Sequence, residues 1–379
     1  MGIRRSFESL RRLAESGVEL ISVGAEPRRQ LWPKVHVAVL NHNGQNWLAD
    51  CLDSLAGTDY PNLEITVVDN GSTDKSHELV RTAYPRVRLL ALTRNFGFAG
   101  AYNRFLETCD GPYVVVLNND TVIPDSRWMY PLVATMESNA TVAAAACKML
   151  YLDRPECINS LGGRAYWWTG SFDIGDGELD LGQHDDPPVE PFAFCGGAAM
   201  LRMAAVREVG GFDEALFAYR EDFDLSWRLR LRGYRVAYVP AVRVYHVGGG
   251  TWGRLSYRKL YLSSRNWLRL MLKNYSAGTI LRGLPTYFAF EFTVRLLGLV
   301  WVSRRLQFAF LPLHSLLWNV AHFGDTLQAR RLVQSARSVS DLTVLRAMGP
   351  AGLEPLGHLL RRARVPKEAE LAKRVGGRL

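Results

Sequence analysis

Cysteine is sparse and scattered in this sequence. Cys51, Cys109, Cys147, Cys157 and Cys195 are odd in number, and no two form a CxxC pair. That argues against a cysteine zinc site and against a disulfide framework; reduced, mostly buried thiols in a cytoplasmic protein are expected. No secretory leader is expected either: the opening MGIRRSFESLRRLAESGVELI is basic and amphipathic, without an apolar h-region or a cleavage site. Phe7, Leu10 and Leu13 among Arg4, Arg5, Arg11 and Arg12 suit a short surface helix, either resting on a membrane or packed on the body. Uninterrupted apolar runs of spanning length are missing too. LPTYFAFEFTVRLLGLVWV at 284–302 comes near, but Glu291 and Arg295 break it. Signs of wholesale disorder are absent, since 48% hydrophobic and 22% charged residues are ordinary globular values. No RNA-binding signature accompanies the net charge of +9, much of which lies in the N-terminal arm and beyond residue 250. Nucleic acid is therefore not expected as a partner, whereas a nucleotide or an anionic lipid surface is.

What is present is an alternation of compact strands and helices. In 379 residues there is room for one large domain and an appendage. Val35–Leu40, Glu64–Val68, Val87–Leu92 and Tyr113–Leu117 read as strands, and 47–56, 74–83 and 98–108 as the helices between them. This order at close spacing implies a parallel sheet with helices on both faces, and such sheets bind ligands beyond the carboxyl ends of their strands. Each strand end carries a polar cluster. The second half is looser over 155–191, then gives a strand at 194–202, a helix over Leu225–Leu231, a strand over Arg235–Val239 and the segment VRVYHVGGGTWG. Beyond about residue 255 come apolar stretches punctuated by basic residues. Arg304-Arg305 and Arg330-Arg331 flank the run at 306–323 and fit interfacial helices on anionic lipid; a buried helical subdomain fits as well.

Several of these clusters could carry chemistry, and each has a plainer structural reading. YVVVLNNDTVIP at 113–124 leaves a buried strand through Asn118, Asn119 and Asp120, which suits a turn or a cation bound by Asp120. Asp69 in VVDNGSTD could accept the imide N–H of a uracil or thymine, or cap a helix. RNFGFAGAYNRF sets Gly97 and Gly100 at a helix start, with Asn103 in the first turns, as suits a diphosphate or a tight strand-to-helix turn. His246 ends its strand and is a candidate second metal ligand. Glu221 and Asp222 open an amphipathic helix, either as dipole-stabilised acids or, buried against Tyr219 and Phe223, as a base of raised pKa. Trp167 and Trp168 offer a stacking wall for sugar or lipid, or core packing.

In their order along the chain, VAVLNHNGQNWLADCLDSL, YPNLEITVVDNGSTDKS, RNFGFAGAYN, LNNDT, GGFDEALFAYREDFDLSWRLRLRGYRVAYVP and VYH resemble glycosyltransferase family 2 over roughly residues 35–252. The LNND and YREDFDLSWR segments resemble those of bacterial rhamnosyltransferases and galactofuranosyltransferases of cell-surface polysaccharide synthesis. The resemblance implies an α/β GT-A fold, Rossmann-like with a mainly parallel sheet and flanking helices, and an inverting transfer from a dTDP- or UDP-linked sugar, rhamnose foremost. Glucose, galactofuranose and other hexoses are the alternatives. It implies that Asn41, Asp69 and Asn95 contact the nucleoside, with Gly100, Asn103, Asn118 and Asn119 also on the sugar nucleotide. Asp120 and His246 would hold Mn2+ or Mg2+, and Asp222, beside Glu221, would be the general base. One departure is that Asn118 replaces the first acid of the family's DXD motif, which removes a charge from the metal site.

The expected layout is a basic amphipathic arm over 1–33, the GT-A domain over 34–255, an α-helical, membrane-associated region over 256–348 and a basic tail over 349–379. Gly248–Gly250 would close as a flap over the donor. The acceptor would be a glycan or a polyprenyl-diphosphate-linked sugar, met on the cytoplasmic face of the bacterial cell membrane by a peripheral enzyme. A nucleotidyltransferase would want a basic glycine-rich loop after the first strand, and HNGQNW has no Lys or Arg. A non-catalytic membrane- or nucleic-acid-binding protein would not need both Asp120 and Asp222.

Overall fold

A computed structural model describes residues 32–349, apart from Pro187, 249–255, 296, 298–299 and 301–304. The arm over 1–31, the glycines at 249 and 250 and the tail from 350 lie outside the described residues. The first half follows its hydrophobic pattern closely. Strands β1 (Val35–Asn41), β2 (Leu63–Asp69), β3 (Arg88–Ala91) and β4 (Tyr113–Asn118) run parallel in the order β3-β2-β1-β4. Helices α1 (Gln45–Ala56), α2 (Ser76–Ala83) and α3 (Gly97–Leu106) connect them.

The sheet continues past β4. After β5 (Thr121–Val122) and α4 (Met129–Ser138) comes β6 (Val142–Tyr151), buried along its whole length. β10 (Ala198–Arg202) runs antiparallel between β4 and β6, and β11 (Arg235–His246) runs parallel to β6 at the far side. Between them, β7 (Ile158–Ser160) pairs with β6, and β8 (Gly163–Tyr166) and β9 (Gly170–Asp173) form a separate hairpin. So part of the stretch read as loop-rich is β-structure.

Alternation of side chains fixes the layers. Val35, Val37 and Val39 meet Leu48, Leu52 and Leu55 of α1 and Met129, Leu132 and Met136 of α4 on one face. Ala38, Val114 and Val116 meet Ala99, Tyr102 and Phe105 of α3 on the other, with Leu225 and Leu229 of α6 (Glu221–Leu231). α5 (Met203–Glu208) packs on that same face.

The chain then forms α7 (Tyr257–Asn274), α8 (Ala277–Ala289), α9 (Leu311–Ala321), α10 (Phe323–Ala336) and α11 (Asp341–Arg346). Trp227 of α6, Trp267 of α7 and Tyr275 join them in one buried cluster. Among the described residues no helix is long and apolar enough to cross a membrane.

Candidate active site

Parallel pairing brings the carboxyl ends of β1, β2 and β4 together: Asn41 lies opposite Asp69, and Leu40 opposite Asn118. The side chains there are locked to one another. Asn41 donates to Asp69 Oδ2 (2.8 Å) and accepts from Asn119 Nδ2 (2.7 Å). Asp69 Oδ1 accepts the Ser72 main-chain N–H (2.9 Å) and lies 2.7 Å from His77 Nε2. Burial alone would raise the Asp69 carboxyl, but the Ser72 N–H and hydroxyl, Asn41 and His77 outweigh it and hold the group below the usual carboxylate range. The following turn needs its glycine: Gly71 has φ 72°, and a Cβ there would meet the main chain of Arg94 at 2.5 Å. Asn70 reaches across the turn, donating to Asn95 Oδ1 and the Gly97 carbonyl and accepting from Phe96 N.

At the next edge position, His246 at the end of β11 lies opposite Thr121 and Tyr151. Its Nε2 is 3.1 Å from Asp120 Oδ1, and its Nδ1 is 2.9 Å from Asn159 Oδ1. Burial opposes ionisation of Asp120, yet the His246 charge and hydrogen bond keep that carboxyl below its ordinary range. As a donor set the pair fits a hard divalent cation, with one carboxylate oxygen and one imidazole nitrogen. Among the described residues no group of three or more His, Cys, Asp or Glu side chains gathers at one point. Asp120 and His246 are therefore candidate ligands for a divalent cation, one through oxygen and one through nitrogen. Asn118, with Nδ2 3.4 Å from His246 Nε2, stands where a second acid would otherwise be.

Facing this pair is the start of α6. Asp222 Oδ2 accepts the Gly196 N–H (3.2 Å), while the carbonyl of neighbouring Gly197 accepts the Asn118 N–H (3.0 Å). One Gly-Gly segment thus fixes Asp222 against the Asn118 strand end. Burial first, and then the Asp173 carboxylate, push the Asp222 carboxyl up to about 6, against the Gly196 and Phe223 N–H groups and the charge of Arg220. Burial and the neighbouring Asp222 hold Glu221 well above its ordinary range, and its buried Oε2 has no hydrogen-bond partner among the described residues.

The loop that delivers these acids is strained. Phe217, Tyr219 and Arg220 have φ values of 64°, 68° and 74°, a region that costs a non-glycine residue roughly 1–3 kcal/mol each and persists only when its surroundings enforce it. A paired carboxylate, an imidazole and a proton acceptor of raised pKa on one sheet edge can hold a metal-bound diphosphate and take a proton from a nucleophile.

The family model described as glycosyl transferase family 2 matches residues 36–210. These residues form a family 2 glycosyltransferase domain. Over 223 residues the chain is 29% identical to the N-acetylglucosaminyl-diphospho-decaprenol L-rhamnosyltransferase of Mycobacterium tuberculosis (strain CDC 1551 / Oshkosh), covering 51% of this chain and 69% of that protein. It is 31% identical over 230 residues to the pre-mycofactocin glycosyltransferase of the same strain, covering 59% of this chain and 45% of that protein. The structure of GalNAc-T7 with UDP, GalNAc and Mn2+ aligns with a TM-score of 0.54 at 16% identity, covering 76% of this chain and 59% of that one. At that identity the likeness concerns the fold, which is GT-A.

This sheet edge brings Asn41, Asp69, Asn118, Asn119, Asp120 and His246 together, Asp222 is tied to it through Gly196-Gly197 with Glu221 next to it in the chain, and Asn95 joins through Asn70. Other expected contacts are committed elsewhere. Asn103 donates to the Phe212 carbonyl and Glu214 and accepts from Phe212 N, so it clamps a loop instead of facing a nucleotide. A Cβ on Gly100 would meet Phe96 Cβ at 2.9 Å, so this glycine serves close packing. Trp167 and Trp168 are half-buried and take up the packing alternative. Trp167 donates to the Leu345 carbonyl, and Trp168 lies on Tyr275 and on Gly283, where any Cβ would clash with its ring. Sequence reasoning missed Asn70, Asn159, Asp173 and Arg220. Asn70 was within reach, as the residue after Asp69; the others depend on contacts between distant segments.

Proposed function

We propose that this chain is an inverting hexosyltransferase that moves a sugar, rhamnose foremost, from a dTDP- or UDP-linked donor to a polyprenyl-diphosphate-linked or glycan hydroxyl in cell-surface polysaccharide synthesis. A galactofuranosyl or other hexosyl donor on UDP is the alternative. The observation that carries the reading is the Gly196-Gly197 bridge, which sets Asp222 beside the Asn118–Asp120 strand end. Rhamnose and a polyprenyl acceptor are favoured by likeness to the decaprenol-linked rhamnosyltransferase.

Asp222 would take the acceptor hydroxyl proton as that oxygen attacks the anomeric carbon from the face opposite the departing diphosphate, which inverts the centre. Asp120 and His246 would hold Mn2+ or Mg2+, which when bound supplies neutralisation of the leaving diphosphate. Asn41 and Asp69 would shape the nucleoside pocket, and Asn118 would contribute a polar group without charge. Transfer from dTDP-L-rhamnose, compared with UDP-galactofuranose and UDP-glucose, to a polyprenyl-diphosphate N-acetylglucosamine tests the reading. Product with one donor supports it; no product with any of them, under conditions where the donor binds, counts against the proposed acceptor.

Asn159 would act on the metal through His246. With Nδ1–H donated to Asn159 Oδ1, the Nε2 lone pair is left for a cation. Asn159→Ala is expected to weaken Mn2+ binding by about tenfold to a hundredfold, measured by calorimetry in the presence of the nucleoside diphosphate.

For the membrane, Leu306, Phe310, Leu313, Leu317 and Val320 form one stripe, each between 44% and 78% exposed. The spacing of four and three residues places Leu313, Leu317 and Val320 on one side of α9, and Leu306 and Phe310 lie on the short turn leading into it. With a chain charge of +9, this face suits an anionic lipid surface, where it would meet a lipid-linked acceptor. Leu313→Glu with Leu317→Glu is expected to reduce co-sedimentation with phosphatidylglycerol-containing vesicles at least tenfold while leaving nucleotide binding unchanged.

A further inference from the structure

We infer that Asn266 of α7 is a positioning residue for the proposed transfer: its carboxamide holds the left-handed loop that presents Glu221 and Asp222. The inference rests on the reading of Asp222 as the base. Asn266 is fully buried, and its Nδ2 lies within hydrogen-bond distance of three carbonyls of that loop, those of Leu216 (3.0 Å), Ala218 (3.0 Å) and Tyr219 (2.6 Å). Carbonyls only accept, so the amide nitrogen faces them with its two N–H groups shared among the three, and Oδ1 is fixed in turn by Arg265 Nε at 2.9 Å. Arg265 adds its own donation to the Leu216 carbonyl at 2.9 Å. One turn earlier, Ser263 accepts from Arg220 Nε at 2.9 Å. The residues bound this way are the carriers and neighbours of the positive φ values at Phe217, Tyr219 and Arg220.

A second contact ties the loop to the donor side. The Phe217 carbonyl accepts the Ala99 N–H (3.4 Å), and it lies so close to Gly97 that a Cβ there would sit 2.3 Å from its oxygen. The loop is therefore gripped between the turn at 95–99 and the buried polar face of α7. Without Asn266 the carbonyls of Ala218 and Tyr219 lose the donor shown for them, and the left-handed residues can relax toward ordinary backbone. Asp222 follows directly in the chain. The groups facing Asp222 are Asp173 from β9, the Cys195 thiol before Gly196, Glu221 and Arg220 from its own segment, and the N–H groups of Gly196 and Phe223.

The test uses the full chain as wild type, Asn266→Ala, Ser263→Ala and Asp222→Asn. Amide hydrogen exchange reads the clamp without any donor. Asn266→Ala is expected to exchange at least tenfold faster over 216–224 while 35–41 stays unchanged; unchanged protection over 216–224 overturns the inference. With dTDP-L-rhamnose and the polyprenyl-diphosphate acceptor, kcat should fall about a hundredfold with donor KM within threefold, as a misplaced reacting group costs. The acid limb of the pH–rate profile should move below that of the wild type, a change that loss of fold alone does not make. Should Asn266→Ala not fold, Ser263→Ala reads the same loop through Arg220, with an expected fivefold to tenfold loss in kcat, and wild-type kcat there overturns the inference. Full activity in Asn266→Ala beside a dead Asp222→Asn removes Asn266 and leaves the base reading standing. Full activity in Asp222→Asn removes the base reading, while the exchange arm still decides whether Asn266 holds the loop.

Discussion

Asp222→Asn is expected to lower transfer by a factor of roughly 10^3, within the range that a positioned base contributes, while donor binding stays within twofold of the wild type. The carboxamide keeps the size and can still accept one of the two N–H groups, of Gly196 at 3.2 Å and Phe223 at 2.8 Å, that the carboxylate accepts, so the volume at the start of α6 is kept at the cost of one hydrogen bond. What it cannot do is take a proton. The wild-type rate should also carry an acid limb near pH 6, since only the ionised carboxylate acts as base and burial with Asp173 lifts it to about 6. Below that point the rate should fall about tenfold per pH unit. The same shift has a consequence for stability with a definite sign. A carboxyl that binds its proton more tightly when folded favours the fold at low pH, and this contribution is lost as pH rises from the ordinary carboxylate range through about 6. Turnover by Asp222→Asn near the wild-type rate would remove Asp222 from its role, and steady-state kinetics with a single donor suffice to show it.

Lys273→Met is expected to cost about 3–5 kcal/mol of stability, the range for removing one partner of a buried ion pair. Lys273 is almost wholly buried and bridges two acids, Asp213 at 2.6 Å and Asp224 at 2.7 Å. Asp213 also binds Arg269 at 3.0 Å and caps the short turn at Glu214–Leu216, which leads into the left-handed loop. Asp224 has no exposed surface and is shared with Arg228 at 2.8 Å. Burial works against both acids, but Lys273 with Arg269 at one and Arg228 with Lys273 at the other hold them below the usual carboxylate range. Their contribution is present above that range and lost as pH falls through the depressed values. Methionine fills much of the lysine volume, so the loss reads the charge more than a cavity. Chemical denaturation at pH 7 measures it, and a change under 1 kcal/mol would mean that Arg228 and Arg269 already satisfy both acids.

These two expectations draw on opposite halves of what the sequence discloses. The donor-side half of the sheet was legible. Val35–Leu40 and Tyr113–Leu117 were read to within a residue of the observed Val35–Asn41 and Tyr113–Asn118, because strands buried on both faces are continuous apolar runs that stop where the edge turns polar. The far half was not. VAAAACKMLY, the long buried strand β6, is rich in alanine, which has little strand preference of its own; its state is set by β10 and β11 on either side. Arg235–Val239 and the VRVYH strand ending at His246 were read as separate pieces, yet β11 is one strand from Arg235 to His246 that carries Pro240 in a register shift between Val239 and Arg243. The site divides similarly. Acids and amides at strand ends are visible as motifs, whereas the grip on them is not. Arg265, Arg269 and Lys273 were part of the basic punctuation read as fitting either lipid or a buried subdomain, and they and Asn266 are buried because their partners lie some fifty residues upstream. The packing of Trp167 and Trp168 was hidden for the same reason, since Gly283 and Leu345 come from helices far along the chain.

The most direct measurement is thermal unfolding of the wild type, Asp120→Ala and Asp222→Asn with dTDP, UDP and their sugars, each with and without Mn2+ or Mg2+. A ligand bound only by the folded state adds about 2.7 kcal/mol at a hundredfold excess over its dissociation constant. The expected result is a metal-dependent rise in the wild type with one nucleotide base, kept in Asp222→Asn and lost in Asp120→Ala. No rise with any nucleotide in any metal would contradict a sugar-nucleotide site at this sheet edge.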